Sequence, residues 1–265
     1  MNKTILITGS TDGIGLDTAK RMLKEGHRVL IHGRNPDKLQ ATLDALNAAG
    51  FRPQIDGFQA DLSKLADIAR LAREVADRHT QLDVLINNAG IFKTPETTAS
   101  NGVDIRFMVN TIAPWVLTRL LLPLLAADGK IVNLSSAAQA PVNLDALTGQ
   151  ESIDDDFQAY AQSKLALTMW SMEPKALALN FDQSVVAVNP GSMLGSKMVK
   201  QGFGAEGKDL AIGVEILHKL ALQPGALRNR EYFDNDIGDY ASPHPDALQA
   251  HIRLAVLDAM KQVVD

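Results

Sequence analysis

The chain contains no cysteine, only 5% aromatic residues and no run of lysines and arginines. Without cysteine it can form neither a disulfide nor a thiolate metal site, an absence that fits a reducing, cytoplasmic setting. A net charge of −5 with no basic cluster argues against nucleic acid and anionic membrane surfaces as partners. The six histidines show no ligand spacing, so no metal is expected. Long hydrophobic runs are also missing. Residues 1–8 carry too short an apolar stretch for a signal peptide. The longest apolar helix, predicted over 111–127, is interrupted by Arg119 and Pro123 and is too short to span a bilayer. No repeat, low-complexity tract or long linker divides the 265 residues, which are read as one domain.

What is present is an alternation. Apolar runs at Thr4–Thr8, Arg28–Ile31, Gln54–Gln59, Leu82–Asn87, Lys130–Leu134, Ser184–Val188 and Glu231–Phe233 read as strands. Helical patterns near 15–25, 37–49, 64–79, 111–127, 158–179, 208–222 and 246–263 separate or follow them. Strand–helix alternation predicts a parallel sheet, and near-continuous apolar strands predict helices on both of its faces. Two stretches, 137–157 and 191–207, lack such patterns and read as loops. The acidic run from Asp234 to Asp239 resembles a calcium loop only superficially, because Pro245 stands where the twelfth-position glutamate belongs; it is read as a turn.

Thr8-Gly9-Ser10-Thr11-Asp12-Gly13-Ile14-Gly15 follows the first strand and opens the first helix. Glycines here allow a tight turn and close backbone approach to a pyrophosphate, which the helix N-terminus then attracts. No Gly-Lys-Ser/Thr follows, so a mononucleotide P-loop is not indicated. At the tip of the second strand the sequence reads His32-Gly33-Arg34-Asn35, with no acid and with an arginine next. An acid there would bind the ribose 2′-hydroxyl of NAD, whereas an arginine accommodates the 2′-phosphate of NADP. NADP(H) is favoured over NAD(H), although Asp12 stands in the Gly loop where a cation would have helped.

Tyr160 and Lys164 lie four residues apart on a predicted helix, which puts both on one face. An ammonium that close is expected to lower a phenol pKa from about 10, so Tyr160 is a candidate general acid and base.

These motifs together resemble the short-chain dehydrogenase/reductase family: the Gly loop, Asp61-Leu62, Asn87-Asn88-Ala89-Gly90, Asn110, Leu134-Ser135-Ser136, Tyr160-x-x-x-Lys164 and Asn189-Pro190-Gly191. The resemblance covers nearly the whole chain. It implies a Rossmann-type, doubly wound α/β fold with a seven-stranded parallel sheet, residues 1–265 forming one dinucleotide-binding oxidoreductase domain. It also implies roles. Gly9, Thr11, Asp12, Gly13, Ile14 and Gly15 would cradle the dinucleotide, and Arg34 its 2′-phosphate. Asp61 and the Leu62 backbone would face adenine, and Asn88, Ala89 and Gly90 the adenosine ribose, with Asn87 a sheet residue. Pro190, Gly191 and the Met193 backbone would hold the carboxamide. The family's threonine after that proline is replaced by Gly195, followed by Ser196, which leaves its contact open. Tyr160 would move the proton, Lys164 would anchor the nicotinamide ribose, and Ser136 would hold the substrate oxygen. Ser135 competes for that last role, and the family pattern favours Ser136. Asn110 would order a water leading to Lys164.

The implied activity is hydride transfer between nicotinamide and a small carbonyl or alcohol substrate; the alternative is a catalytically silent, redox-sensing dinucleotide-binding regulator. The insertion at 137–157 resembles the retinol-dehydrogenase and carbonyl-reductase-like branches and points to apolar substrates. The segment 192–207 is read as a loop that closes over them. Homo-oligomerisation is expected through helices 111–127 and 158–179, with Trp115, Met169, Trp170 and Met172 supplying apolar surface, unless 137–157 covers them.

Overall fold

Alternation along the first strand sets the layering. In the computed structural model, which describes residues 2–264 except the Phe203 side chain, β1 spans Thr4–Ile7. Leu6 points into one core and Ile5 and Ile7 into another on the opposite side of the sheet. The same division continues through β2 (Arg28–Gly33), β3 (Ile55–Gln59), β4 (Leu82–Asn87), β5 (Leu125–Leu134) and β6 (Ser184–Asn189), and β7 (Glu231–Asp234) sends Phe233 into the second core.

The order β3-β2-β1-β4-β5-β6-β7 is parallel throughout and reverses direction between β1 and β4, the place where α/β sheets bind ligands. The expected seven strands become eight among the described residues. The additional β8, Asp239–Tyr240, folds back antiparallel on β7 across the acidic turn. Two residues give too short an apolar run for a sequence pattern to register.

Helices α1 (Gly13–Lys24) and α2 (Pro36–Ala48) match their predicted spans within two residues, as does α3 (Leu65–Arg78). The helix expected over 111–127 instead starts at α4 (Ile105–Phe107), passes through a π turn at Met108–Ile112, continues as α5 (Ala113–Leu121) and ends at Leu124. Those 20 residues are long and apolar enough to cross a membrane by length and composition, contrary to expectation, but 67% of the apolar window is buried inside the protein. Residues 125–127, read as helical, begin β5.

Between β5 and β6 lie α6 (Leu144–Leu147), within the stretch expected to be irregular, and α7 (Asp156–Met172). Pro174 does not bend α7; the helix stops before it, with Glu173 extended, as the residue preceding a proline favours. After β6 come α8 (Lys197–Phe203), also in an expected loop, then α9 (Ala211–Leu222), and α10 (Ala250–Val264) closes the described chain.

Trp115, Met169 and Trp170, expected on an oligomer surface, are at most 1% exposed and belong to the core. Trp115 donates its indole N–H to the Ala176 carbonyl at 3.1 Å. These three side chains therefore cannot supply an oligomer surface, although Leu120 on α5 remains 47% exposed and Met172 is half-buried.

The π turn is held from its N-terminal side by an ion pair out of water. Arg106, fully buried, donates to both Asp104 oxygens at 2.9 and 2.6 Å and to Asp156 on α7 at 2.6 Å. Removing one member of a buried pair strands the other, at a cost of about 3–5 kcal/mol. Arg106→Leu is therefore expected to lose about that much stability in urea unfolding, and an unchanged midpoint would refute the assignment.

Candidate active site

The C-terminal ends of the parallel strands open onto two adjoining clefts, of about 500 and 310 Å³. Ile14, Ser135, Tyr160, Pro190, Ser196 and Met198 line both and so form the wall between them. All predicted site residues line one cleft or the other except Asn110.

The larger cleft is built on the Gly loop. Gly9 takes a left-handed φ of +65°, which lets its N–H donate to His32 Nδ1 at 3.0 Å. That bond makes Nδ1 the acceptor, so the neutral ring's proton is on Nε2, facing the Ala60 carbonyl at 3.2 Å. Burial drives the His32 pKa down to about 4, which keeps the ring neutral. Asn88 ties the loop from the other side, donating to the Thr8 and Gly9 carbonyls at 2.8 and 3.2 Å. A Cβ at Gly15 would lie 2.4 Å from Asn88 Nδ2 and 2.7 Å from the Gly9 carbonyl oxygen. Only a bare backbone fits. Asn88 lines the cleft, but its amide nitrogen is spent on the loop rather than left for a ribose. Asn87 is a sheet residue as expected, donating to Asn133 and Thr118 at 2.8 and 3.1 Å.

Asp12 caps α1 through the Gly13 N–H at 2.9 Å and accepts from Lys38 at 2.6 Å and Lys197 at 2.8 Å. Burial works to raise its pKa, but the bonds from Lys197, Lys38 and Gly13 hold it down at about 2. The carboxylate that counted against a phosphate is thus outnumbered by two cations. Arg34 is exposed at the same rim and makes no ion pair among the described residues. Gly33 leaves no room for an acid: a Cβ there would lie 2.6 Å from Thr11 Cγ2. Asp61 is fixed by Asp67, which accepts its N–H at 2.9 Å, and takes the Ser63 hydroxyl at 2.8 Å.

The smaller cleft is apolar. Phe92, Phe157, Met193, Leu194, Met198 and Val199 line it, and none of its lining residues carries a charge. Phe92 stands edge-on to Tyr160, with ring centroids 5.3 Å apart, and to Phe157 at 6.5 Å. Ser196 caps α8 by accepting the Val199 N–H at 3.3 Å, so its hydroxyl is partly committed one residue beyond Gly195, where the threonine was missing.

Tyr160 and Lys164 share a face of α7, yet the electrostatics differ from expectation. Burial raises the phenol pKa above its ordinary value, while a hydrogen bond with the Ser136 hydroxyl opposes the shift. Burial lowers Lys164 to about 7, so near neutrality it carries only part of its charge. Its Nζ donates to the Leu134 carbonyl at 2.7 Å and lies 5.6 Å from the tyrosine ring centroid. Desolvation outweighs the pair attraction that spacing alone suggested.

Ser135 and Ser136 separate cleanly. The Ser135 hydroxyl is engaged with Thr168 Oγ1 at 2.6 Å and the Lys164 carbonyl at 3.2 Å, whereas Ser136 faces the apolar cleft beside Tyr160. Asn110 lies on the π turn, a common device at functional sites, with its amide engaged at both ends. Its oxygen accepts the Ile91 N–H at 2.8 Å, and its nitrogen donates to the Ile91 carbonyl and Ser163 Oγ, both at 2.9 Å. Ser163 in turn donates to the Tyr160 carbonyl at 2.7 Å, so Asn110 braces the tyrosine's helix turn.

Sequence reasoning missed Lys38, Lys197, His32, Phe92 and Ser163. Lys38 stood four residues after Arg34 at a helix start, a readable spacing; the others meet the site through long-range contacts without a local pattern.

The family model for short chain dehydrogenases matches residues 3–206. Mouse retinol dehydrogenase 13 is 32% identical over 193 residues, 71% of this chain and 58% of that protein. Human polyprenol dehydrogenase is 30% identical over 200 residues, 72% of this chain and 60% of that protein. The chain thus spans about three fifths of the length of these relatives. An uncharacterized protein from Mycobacterium paratuberculosis superposes with a TM-score of 0.79 at 26% identity, covering 98% of this chain and 92% of the other. A protein described as a short chain dehydrogenase from Escherichia coli CFT073, complexed with NADPH, has a TM-score of 0.70 at 27% identity, covering 89% and 97%.

A buried lysine with a depressed pKa costs stability in its charged form. Unfolded, Lys164 stays protonated to about pH 10.4, so between about pH 7 and that value the unfolded chain binds the extra proton. Lys164→Met is therefore expected to raise Tm most at pH 6, with the gain shrinking by pH 9. A constant difference across that range would contradict the assigned burial cost.

Proposed function

Because the chain belongs to the short chain dehydrogenase family, we propose that it is an NADP(H)-dependent oxidoreductase interconverting a neutral, apolar carbonyl compound and its alcohol. The observation that carries this reading is the placing of Tyr160 in the wall between a Gly-loop cleft and an apolar cleft, with Lys164 in the first and Ser136 in the second. No observation favours a silent redox sensor, because the proton-transfer residues are intact.

The residues suit a dinucleotide. The Gly15 position admits no side chain, and the Ile14 and Gly15 N–H groups begin α1 without intrahelical partners, as a pyrophosphate requires. When bound, the nicotinamide supplies or receives the hydride. Ser136 donates a hydrogen bond to the substrate oxygen and holds it as charge develops. Tyr160 gives its proton to the same oxygen; its raised pKa keeps it protonated and competent as an acid through neutral pH. Lys164, fixed by the Leu134 carbonyl, presents an ammonium at the floor of the dinucleotide cleft, where it would anchor ribose hydroxyls. Phe92, Phe157 and the methionines exclude water and select a substrate without charge.

Tyr160→Phe is expected to bind NADPH normally and lose about 10²–10⁴-fold in turnover. Wild-type carbonyl reduction should hold level across neutral pH and fall only on the alkaline side as the phenol ionises, while alcohol oxidation, which needs the phenolate, should rise there. A panel of neutral ketones and aldehydes set against keto acids tests the substrate class. Turnover confined to the acids would reject it.

Arg34 and Lys38 are the proposed 2′-phosphate contacts. A charge-assisted hydrogen bond contributes about 1.5–3 kcal/mol, so Arg34→Ala should weaken NADPH binding about ten- to a hundredfold and leave NADH almost unchanged. Lys38→Met should weaken NADPH less, because Lys38 is shared with Asp12. Dissociation constants for both cofactors at one salt concentration decide the point, and equal losses for NADH would move both residues off the phosphate.

A further inference from the structure

Among the described residues only Met193 and Arg230 combine a side chain with a positive φ, and Met193, at +58°, lines the apolar cleft. A non-glycine residue held in that region is strained and persists only where its neighbours over-determine it. The groups that do so come from Lys208 and from the acidic turn between β7 and β8, both beyond the stretch that the family model matches.

Asp236 in that turn accepts the Ser192 N–H at 2.9 Å and the Asn189 side-chain amide at 2.8 Å, and also takes the Ser192 hydroxyl. Lys208 stands 3.8 Å from the same carboxylate. The Lys208 backbone N–H then donates to the Met193 carbonyl at 2.6 Å, and its carbonyl accepts the Gly195 N–H at 2.7 Å. Met193 is therefore gripped from both sides by groups that converge on one carboxylate. Asn235 reinforces the base of the segment by donating to the Pro190 carbonyl at 2.9 Å.

We propose that Asp236 is a positioning residue for the substrate end of the site, holding Ser192 and Asn189 so that Met193 keeps its left-handed backbone and forms one wall of the apolar cleft. The consequence for turnover rests on the oxidoreductase reading above; the clamp itself does not. The Ser192 N–H, the Asn189 amide nitrogen and the Lys208 ammonium can only donate to this carboxylate, so Asp236→Asn, though nearly isosteric, presents an NH₂ that the Ser192 hydroxyl alone could accept.

Asp236→Asn is expected to raise KM for the carbonyl substrate about ten- to a hundredfold, with kcat within about threefold and the pH dependence of kcat unmoved, because Tyr160 is untouched. Amide hydrogen exchange across 190–208 should quicken in the same variant. Glycine reaches φ +58° without strain, so in a Met193→Gly background Asp236→Asn should cost far less in exchange protection, a non-additivity that double-mutant comparison isolates.

Unchanged KM and exchange in Asp236→Asn would overturn the proposal. So would a lowered Tm and active fraction at constant KM, or strictly additive effects in the double variant. If the wild type turned over no carbonyl at all, the oxidoreductase reading would fall, while the exchange and non-additivity measurements would still decide the clamp.

Discussion

Strands of a parallel sheet all end at one edge, and the polar backbone groups of the loops leaving that edge must find partners away from water. This protein meets the constraint at the Gly loop with neutral side chains, His32 on β2 and Asn88 just beyond β4, and after β6 with Asn189, whose oxygen accepts the Gly191 N–H at 3.2 Å. Asn87 on β4 and Asn133 on β5 tie their strands to each other and to helix hydroxyls behind the edge. His32 accepts from Gly9, Asn88 donates to Thr8 and Gly9, Asn133 donates to Ser171 at 2.9 Å, and Asn189 reaches Asp234 and Asp236, each at 2.8 Å. Charged groups in the same buried places would lose more in desolvation than such bonds return. Neutral amides and a neutral imidazole give fixed geometry without that penalty. The Gly loop and the 189–192 segment are placed by these residues, and the clefts lie where those loops stand apart.

The charged chemistry sits against this neutral belt, and burial sets its character. Lys164 could relieve its desolvation only by moving outward, but the Leu134 carbonyl holds it at the cleft floor. A lysine poised at about 7 responds strongly to any charge brought beside it, and a phenol raised by burial keeps its proton through neutral pH. The stability given up by burying an ammonium is the usual trade at a site arranged for reaction rather than for packing.

Much of this was legible in the sequence because it is written locally. The Gly loop, the second-strand tip and the Tyr160–Lys164 spacing each depend on contiguous residues whose conformation follows from strand–turn–helix geometry. Leu82–Asn87 matches its predicted strand to the residue. The failures share a cause, which is that side-chain environment is a tertiary quantity. Trp115 and Trp170 could be surface or core on periodicity alone, and the structure puts them in the core. Spacing placed an ammonium near a phenol but carried no information on how dry the site is, so the direction of the Tyr160 shift was misread. The helix begun at Ile105 was missed because Asp104 and Arg106 look like a polar loop until they are seen paired and buried.

The two clefts differ in how their walls are specified. The dinucleotide side is assembled mostly from loops that follow their own strands directly, with the Gly loop tied to β2 by His32 and to the end of β4 by Asn88. The apolar side is assembled from segments distant in the chain: Phe92 after β4, Phe157 at the start of α7, and 191–199 after β6, with the last held by a hairpin some forty residues further on. A wall whose position is set by a separate hairpin can change with that hairpin while the Gly loop and the proton-transfer residues stay as they are. Such a division lets one fold keep one wall of its paired clefts fixed while the other varies. In this chain the variable half is closed by an aspartate that a sequence scan reads only as part of an acidic turn.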